Sequence, residues 1–362
     1  PVYQPANLGI RNAWFSGGVE WNCAQYGHVV YSNSPVFFAR IQAPDGEEFL
    51  RMYEFERMKR LYVQIDFHLP DGADAIYVHV NIFNQDSKEQ SMYWWSNMAI
   101  QATEKLRVFS ATQDVLYQDP DSISDNTNPI RVFGRTKLPF IPTLPGKDST
   151  YPNNANYSNE FFFQNPNDPS SCWSAAVYED GRVFYEASTL PLRFRKMFCW
   201  GSHQGGQRWC EYLANKEDGN YVELQAGLAP TQINSIYIPA NTKWTFTQAI
   251  GEALVADLTP AYQEDYSEAQ AFVAGIVHGA LPVDTIQAYH QQFSEKSLLK
   301  AEEIISPGSG WGALEAARGG NVPASMNFPA STMGDEQAPW LKLLNDGKME
   351  CTDPRTAPPS WM

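Results

Sequence analysis

The sequence predicts a mainly β protein, a large antiparallel sandwich or barrel with a helical appendage at its C-terminal end. Three observations predict it. Strand-like stretches with period-two alternation succeed one another up to about residue 258. Turn dipeptides and short polar loops separate them, with no helical pattern in between. After Pro260 the apolar period becomes helical. The expected division is residues 1–258 for the sandwich and 259–362 for a helical and irregular extension packed on it.

The clearest strands are "LYVQIDFHL" (61–69) and "AIYVHVNIF" (75–83), joined through "PDGAD" as a hairpin. Alternation puts Val63, Ile65 and Phe67 opposite Gln64, Asp66 and His68, and Ile76, Val78 and Val80 opposite Tyr77, His79 and Asn81, so one face reads as apolar and one as polar. "SAAVYEDGRVFYEAS" is a second hairpin, turning at Asp180-Gly181. "RKMFCWGS", "NYVELQAG", "NSIYIPA" and "TKWTFTQAI" read as further strands. Residues 118–171, rich in Asp, Asn, Pro and Ser, read as long ordered loops over one edge. Beyond Pro260, three helices are expected: "SEAQAFVAGIVHG" capped by Ser267, "VDTIQAYHQQF" after an Asp284 cap, and "EKSLLKAEEII" ending before Pro307. The tail mixes short helix with turn, and "APWLKLL" plants Trp340 and Leu341 against an apolar surface.

Composition narrows the partners. A formal net charge of -15 leaves no basic face for nucleic acid or an anionic membrane, and no apolar stretch reaches the roughly 20 residues of a membrane span. Five cysteines, Cys23, Cys172, Cys199, Cys210 and Cys351, lack CxxC spacing, which fits a reduced compartment and a cytoplasmic location. The six histidines form no HExxH or Cys/His pattern, and no GxGxxG, P-loop or GxSxG occurs, so neither a metal nor another cofactor is expected.

What remains is a set of carboxylates, imidazoles and aromatics in four stretches. "SGGVEWNCAQYGH" carries Glu20, Asn22 and His28; "MYWWSNMAI" carries Trp94, Trp95 and Asn97; "WGSHQGGQRW" carries Trp200, His203, Arg208 and Trp209; "YVELQAG" carries Glu223 and Gln225. Taken singly, a strand Glu is most often a solvated or ion-paired residue, a His a hydrogen-bonded structural group and a Trp part of a core. Glu223 stands out because its strand is otherwise apolar, so partial desolvation should raise its pKa and improve it as a base.

The segment 55–100, with "YVELQ" and "GGVEWNCAQYGH", resembles the galactose mutarotase-like family across residues 11–258. A closer likeness runs through "WFSGGVEWN", "YWWSNMAI", "VYEDGRVFYEAS", "GQRWCEYL", "YVELQAGLAPTQ", "GSGWGALE", "EQAPWLKLL" and "PPSWM" to the bacterial domain-of-unknown-function family 5107, in which a mutarotase-like domain commonly precedes tetratricopeptide repeats. These resemblances imply a galactose mutarotase-like β-supersandwich whose first strands lie ahead of Pro1, with room for repeats after Met362.

They also imply a chemistry. In mutarotases a Glu takes the proton of the anomeric hydroxyl while a His protonates the ring oxygen. Glu223 matches the Glu. Asn97 stands about where the family places a His, and an amide cannot deliver a proton; His28 and His203 are the candidates for that role. Glu20, Asn22, Trp95, Asn97, Arg208, Trp209 and Gln225 are the expected sugar-binding residues. A second carboxylate, from Glu20, Glu160, Glu186 or Glu315, would suit glycosidic cleavage instead. The expected function is therefore carbohydrate chemistry on an aldose or an oligosaccharide end. The alternatives are a glycoside hydrolase and a noncatalytic carbohydrate-binding or scaffolding module, with protein partners met through the C-terminal helices or the repeats.

Overall fold

The "PDGAD" hairpin forms as expected: Leu61–His68 and Ala75–Asn84 pair antiparallel, with Ile65 opposite Val80 and Asp66 opposite His79. The computed structural model describes residues 17–24, 27–29, 34–119, 133–214 and 219–349, together with the backbone of Pro5–Ala6 and Trp14–Phe15. Cys351 and the "PPSWM" motif lie outside the described residues.

In chain order the strands are β1 (Pro5–Ala6), β2 (Trp14–Phe15), β3 (Val19–Cys23), β4 (Phe37–Gln42), β5 (Glu48–Glu56), β6 (Leu61–His68), β7 (Ala75–Asn84), β8 (Gln90–Met92), β9 (Trp94–Gln101), β10 (Arg107–Ser110), β11 (Asp114–Gln118), β12 (Phe133–Lys137), β13 (Asn159–Phe163), β14 (Trp173–Val177), β15 (Arg182–Ser188), β16 (Phe194–Cys199), β17 (Tyr221–Gly227), β18 (Ile236–Ile238), β19 (Thr242–Leu254) and β20 (Glu303–Ser306). The helices are α1 (Gln204–Leu213), α2 (Tyr266–Ala280), α3 (Val283–Lys296), α4 (Trp311–Ala317) and α5 (Ala338–Asp346).

A nine-stranded sheet runs β10-β14-β15-β19-β7-β6-β5-β4-β20 and a seven-stranded sheet runs β12-β11-β13-β16-β17-β9-β3. Their facing sides are apolar, as period-two alternation requires. Val63, Ile65, Val78 and Val80 of β6 and β7 share a core with Trp94 of β9 and Ala226 of β17, while Met98, Met197, Val222 and Leu224 join a larger core with β14, β15 and β19. The mainly β class with helices in the C-terminal part is thus the observed one.

Several elements differ from expectation. The run 118–171 contains two strands, β12 and β13, because both find partners in the sheet: β12 pairs with β11, and β13 lies between β11 and β16. "GSHQGGQRW" opens a helix, α1. Gly206 allows it, since a Cβ there would lie 2.2 Å from the Trp200 carbonyl oxygen and 2.3 Å from that of Gly201. α2 is capped by Asp265, whose Oδ1 accepts from the amides of Ser267 and Glu268, rather than by Ser267. Asp284 sits in the first turn of α3, after Pro282. The third expected helix is a strand: α3 stops at Lys296, and β20 adds to the edge of the nine-stranded sheet beside β4.

The polar side of the hairpin is not solvated. Gln64, Asp66, His68, His79 and Asn81 are buried beneath the C-terminal extension. Next to them Phe37, Phe49, Tyr53 and Tyr62 pack against Phe293, Ala313, Met326 and Phe328. Trp340 of α5 packs edge-on to Trp311 of α4, ring centroids 6.3 Å apart.

Candidate functional site

The outward face of the seven-stranded sheet carries the polar residues that the sequence singled out, and strand register brings them together. Glu20 of β3 pairs with Asn97 of β9, and Asn97 with Gln225 of β17, which pairs in turn with Lys196 of β16. One rung along, Glu223 pairs with Phe198, and Phe198 with Glu160 of β13. Alternation then places all of these on one face, with Val222, Leu224, Met98 and Met197 on the core side.

They line a hollow of about 330 Å³, together with Asn22, His28, Tyr93 and Trp200. That volume lies in the range of small-molecule sites. Glu223 is only 7% exposed. Its Oε2 accepts from Asn97 Nδ2 at 2.9 Å and Gln225 Nε2 at 3.0 Å. Among the described residues, no donor reaches its Oε1. The chain of bonds continues outward: Gln232 Nε2 donates to Gln225 Oε1 at 3.0 Å, and Lys196 Nζ donates to Gln232 Oε1 at 2.5 Å and Glu160 Oε1 at 2.9 Å. Among the described residues, Asn97 Oδ1 and the Trp200 indole nitrogen have no hydrogen-bond partner. Buried polar atoms are rarely left so without a reason.

Burial pushes the Glu223 carboxyl above the ordinary carboxylate range. Lys196 and the Asn97 and Gln225 hydrogen bonds oppose that push, and the charge of Glu20 adds to it. The neighbouring Val222 and Leu224 contribute less than their place in sequence implied, because they point into the core. His28 Nδ1 lies 2.7 Å from Glu20 Oε1. Burial disfavours its charged form, yet the Glu20 hydrogen bond and charge, aided by Glu223, outweigh burial and leave its pKa raised. The hollow therefore holds a buried carboxylate with an open oxygen and an imidazole whose pKa a second carboxylate raises.

Six expected site residues meet here: Glu20, Asn22, His28, Asn97, Glu223 and Gln225. Four do not line the hollow. Trp95 is buried beside it, its ring lying over Gly227, where a Cβ would come within 2.3 Å of the indole. His203 caps α1, its Nδ1 accepting from the Gly206 amide at 3.3 Å. Arg208 is exposed on α1, and Trp209, 39% exposed, stacks on Trp200 instead. The reason is common to the last three: α1 and its cap carry them off the strand face that holds the hollow. Of the alternative carboxylates, Glu20 and Glu160 line the hollow. Glu186 is paired with Arg195 in the core, and Glu315 binds Arg318 and Arg60 at α4.

Lys196, Tyr93, Phe198 and Gln232 line the hollow without having been singled out in the sequence. Lys196 carried the same signal as Glu223, a charge inside an apolar strand, and register with Gln225 makes it part of the site.

The N-terminal part of the chain carries the family likeness. Residues 2–136 match the family model described as Domain of unknown function (DUF5107). Among solved structures, a TPR-domain containing protein from Parabacteroides distasonis is similar at 15% identity and a TM-score of 0.54 over 67% of this chain. This chain spans 38% of the length of that protein. Also similar are a putative aldose 1-epimerase from Escherichia coli K12, at 12% identity and a TM-score of 0.42 over 60% of this chain and 69% of that one, and a galactose mutarotase-like protein from Clostridium acetobutylicum, at 10% identity and a TM-score of 0.44 over 64% and 70%. At such identities the likeness concerns fold alone. Among the described residues no single helix is long and apolar enough to cross a membrane.

Proposed function

We propose that the hollow is the sugar site of a carbohydrate-active enzyme that interconverts the anomers of an aldose, free or at an oligosaccharide end. Glu223 is the base: its Oε1, without a protein donor, takes the proton of the anomeric hydroxyl. His28, held and kept protonated by Glu20, is the acid and gives its proton to the ring oxygen as the bond from that oxygen to the anomeric carbon breaks. The open-chain aldehyde rotates and recloses on either face, and the two protons return by the same path. Asn97, Gln225 and Gln232 are neutral hydrogen-bonding groups suited to sugar hydroxyls, and Phe198 and Trp200 offer rings for the apolar face of a pyranose.

The observation that carries this reading is the pairing within one hollow of Glu223, which lacks a cation of its own, with the His28–Glu20 dyad. Polarimetry on freshly dissolved α-anomers of a panel of aldoses tests it. Acceptance of at least one sugar, with a loss of about 10² to 10⁴ in Glu223→Gln, supports it; a Glu223→Gln variant of unchanged rate sinks it.

Glu20 and Glu160 in the same hollow favour hydrolysis as a second reading, with Glu223 and one of them as the pair. Each is already matched to a cation, His28 or Lys196, which suits a charged positioning role better than that of a protonated acid. Release of reducing ends from an oligosaccharide would reverse that preference. Sugar binding without turnover would favour a binding module, and partners met through C-terminal helices would then carry the function.

A further inference from the structure

The hollow is not alone on its side of the molecule. A second cavity, of about 290 Å³, is lined by Asn153, Ser202, Gln207 and Asn220, and Trp200 is a wall of both cavities. Trp200 is half-buried and its indole nitrogen has no hydrogen-bond partner among the described residues. From it an aromatic surface continues outward: Trp209 stacks on Trp200 with centroids 5.7 Å apart and planes 24° off parallel, and Tyr212, 48% exposed, meets Trp209 edge-on at 5.9 Å. α1 builds this platform because residues three apart on a helix share a face. Neither the Trp209 nor the Tyr212 ring belongs to the buried face of α1, which is formed by Gly206, Cys210 and Leu213.

We propose that the natural ligand is an oligosaccharide of at least two units, with one sugar in the hollow and the next in the cavity beyond Trp200, stacked along Trp200 and Trp209. The chemistry points to sugar rather than to peptide or nucleotide. The second cavity offers amides, a hydroxyl and one carboxylate, Glu104, beside an aromatic wall, which matches a ring with hydroxyls at its rim and C–H bonds on its faces and opposes a phosphate. A protein of net charge -15 offers no general attraction to phosphate. The proposal rests on the sugar reading of the hollow and sets the length of the ligand for it.

Calorimetric titration of the chain with D-glucose and D-galactose, and with their α-1,4- and β-1,4-linked di- and trisaccharides, tests it. In at least one series, affinity should rise about three- to tenfold from the monosaccharide to the disaccharide, the scale of one aromatic contact. Trp209→Ala should lose that increment while binding the monosaccharide as the unaltered chain does, and Trp209→Phe should keep most of it. A monosaccharide that binds as tightly as its longer homologues, or a Trp209→Ala variant weakened equally toward both, overturns the second subsite and leaves the hollow standing. Failure of every sugar to bind overturns the reading of the hollow, and this proposal with it.

Discussion

The two large sheets each turn a row of polar side chains away from the core they share, and the two rows have opposite fates. On the nine-stranded sheet Arg51, Gln64 and Asp66 are fully buried, and their hydrogen-bonding capacity is taken up. Arg51 reaches both oxygens of Asp66, at 2.6 and 3.0 Å, and the carbonyls of Ser297, Leu299 and Ser325, so all five of its donors are used. Gln64 adds bonds to Asp66 and to the Ser297 carbonyl, and accepts from Ser325. On the seven-stranded sheet no described residue seals the row. Glu223 keeps an oxygen without a donor, Asn97 an acceptor without a partner, and a hollow stands over both. Glu223 is nearly as buried as the sealed row, whereas Asn97 and Glu20 are half-buried. Completed hydrogen bonds fasten Arg51, Gln64 and Asp66 to the extension, although Asn81 Oδ1 on the same face has no partner among the described residues; at Glu223 the open oxygen faces a hollow instead.

The sharpest way to break that contrast is to exchange the readouts. Glu223→Gln should lose about 10² to 10⁴ in rate, or about 3 to 5 kcal/mol of barrier, without loss of thermal stability. The sign follows from its raised pKa. A carboxyl whose folded pKa exceeds its unfolded value favours the fold at low pH, and that contribution is lost as pH rises through the folded value. The glutamine escapes this loss, so its melting temperature should match or exceed that of the unaltered chain at pH 7, with the margin shrinking in acid. Arg51→Ala should do the reverse. It leaves Asp66 buried without its cation, at a cost of about 3 to 5 kcal/mol of stability, measurable by urea unfolding, while the rate per folded molecule holds. An Arg51→Ala variant that kept its stability would show the sealed network to be as dispensable as an exposed ion pair.

A smaller effect lies in the pH profile of the sugar reaction. The proposed reaction needs Glu223 ionised and His28 protonated, so its rate should fall in acid through the Glu223 pKa and in alkali through the His28 pKa, both displaced upward. Glu20 raises both groups and Lys196 lowers both. Glu20→Gln should therefore move both limbs to lower pH, and Lys196→Met should move both to higher pH. Limbs that stay fixed in both variants would show that other groups set the profile.

These contrasts also explain how much could be read from the chain. The β6–β7 hairpin and the first two C-terminal helices follow from local periodicity, the Asp180-Gly181 turn from its dipeptide, and Glu223 from a charge within an apolar strand, whereas Lys196, beside Arg195, was not singled out. The division into 1–258 and 259–362 remains a proposal, and β20 complicates it by crossing back to pair with β4. That pairing is non-local: nothing within "AEEIIS" says that it will meet a sheet edge rather than complete a helical turn. Nor does β6 itself say that its polar face is covered, since its cover arrives more than 200 residues later. On the seven-stranded sheet the useful signal was likewise spread over strands distant in sequence, and only register joined Glu20, Asn97 and Gln225 in one row.

The smallest expected effect concerns the residue that sequence placed beside Glu223 and the fold did not. His203 has the composition of a catalytic group, an imidazole amid Trp, Gly and Gln, yet its Nδ1 serves the Gly206 amide and its ring lies against Tyr157, centroids 5.1 Å apart. A helix start needs such an acceptor, because its first amides have no partner within the helix. At 3.3 Å the bond is long for its kind, so His203→Ala should cost at most about 1 kcal/mol and lower the melting temperature slightly. The anomerisation rate should stay within about twofold and the pH limbs should not move, because neither limb belongs to His203. His203→Asn, which restores a capping acceptor, should recover the lost stability. A displaced alkaline limb in His203→Ala would instead give this imidazole the proton that the geometry assigns to His28.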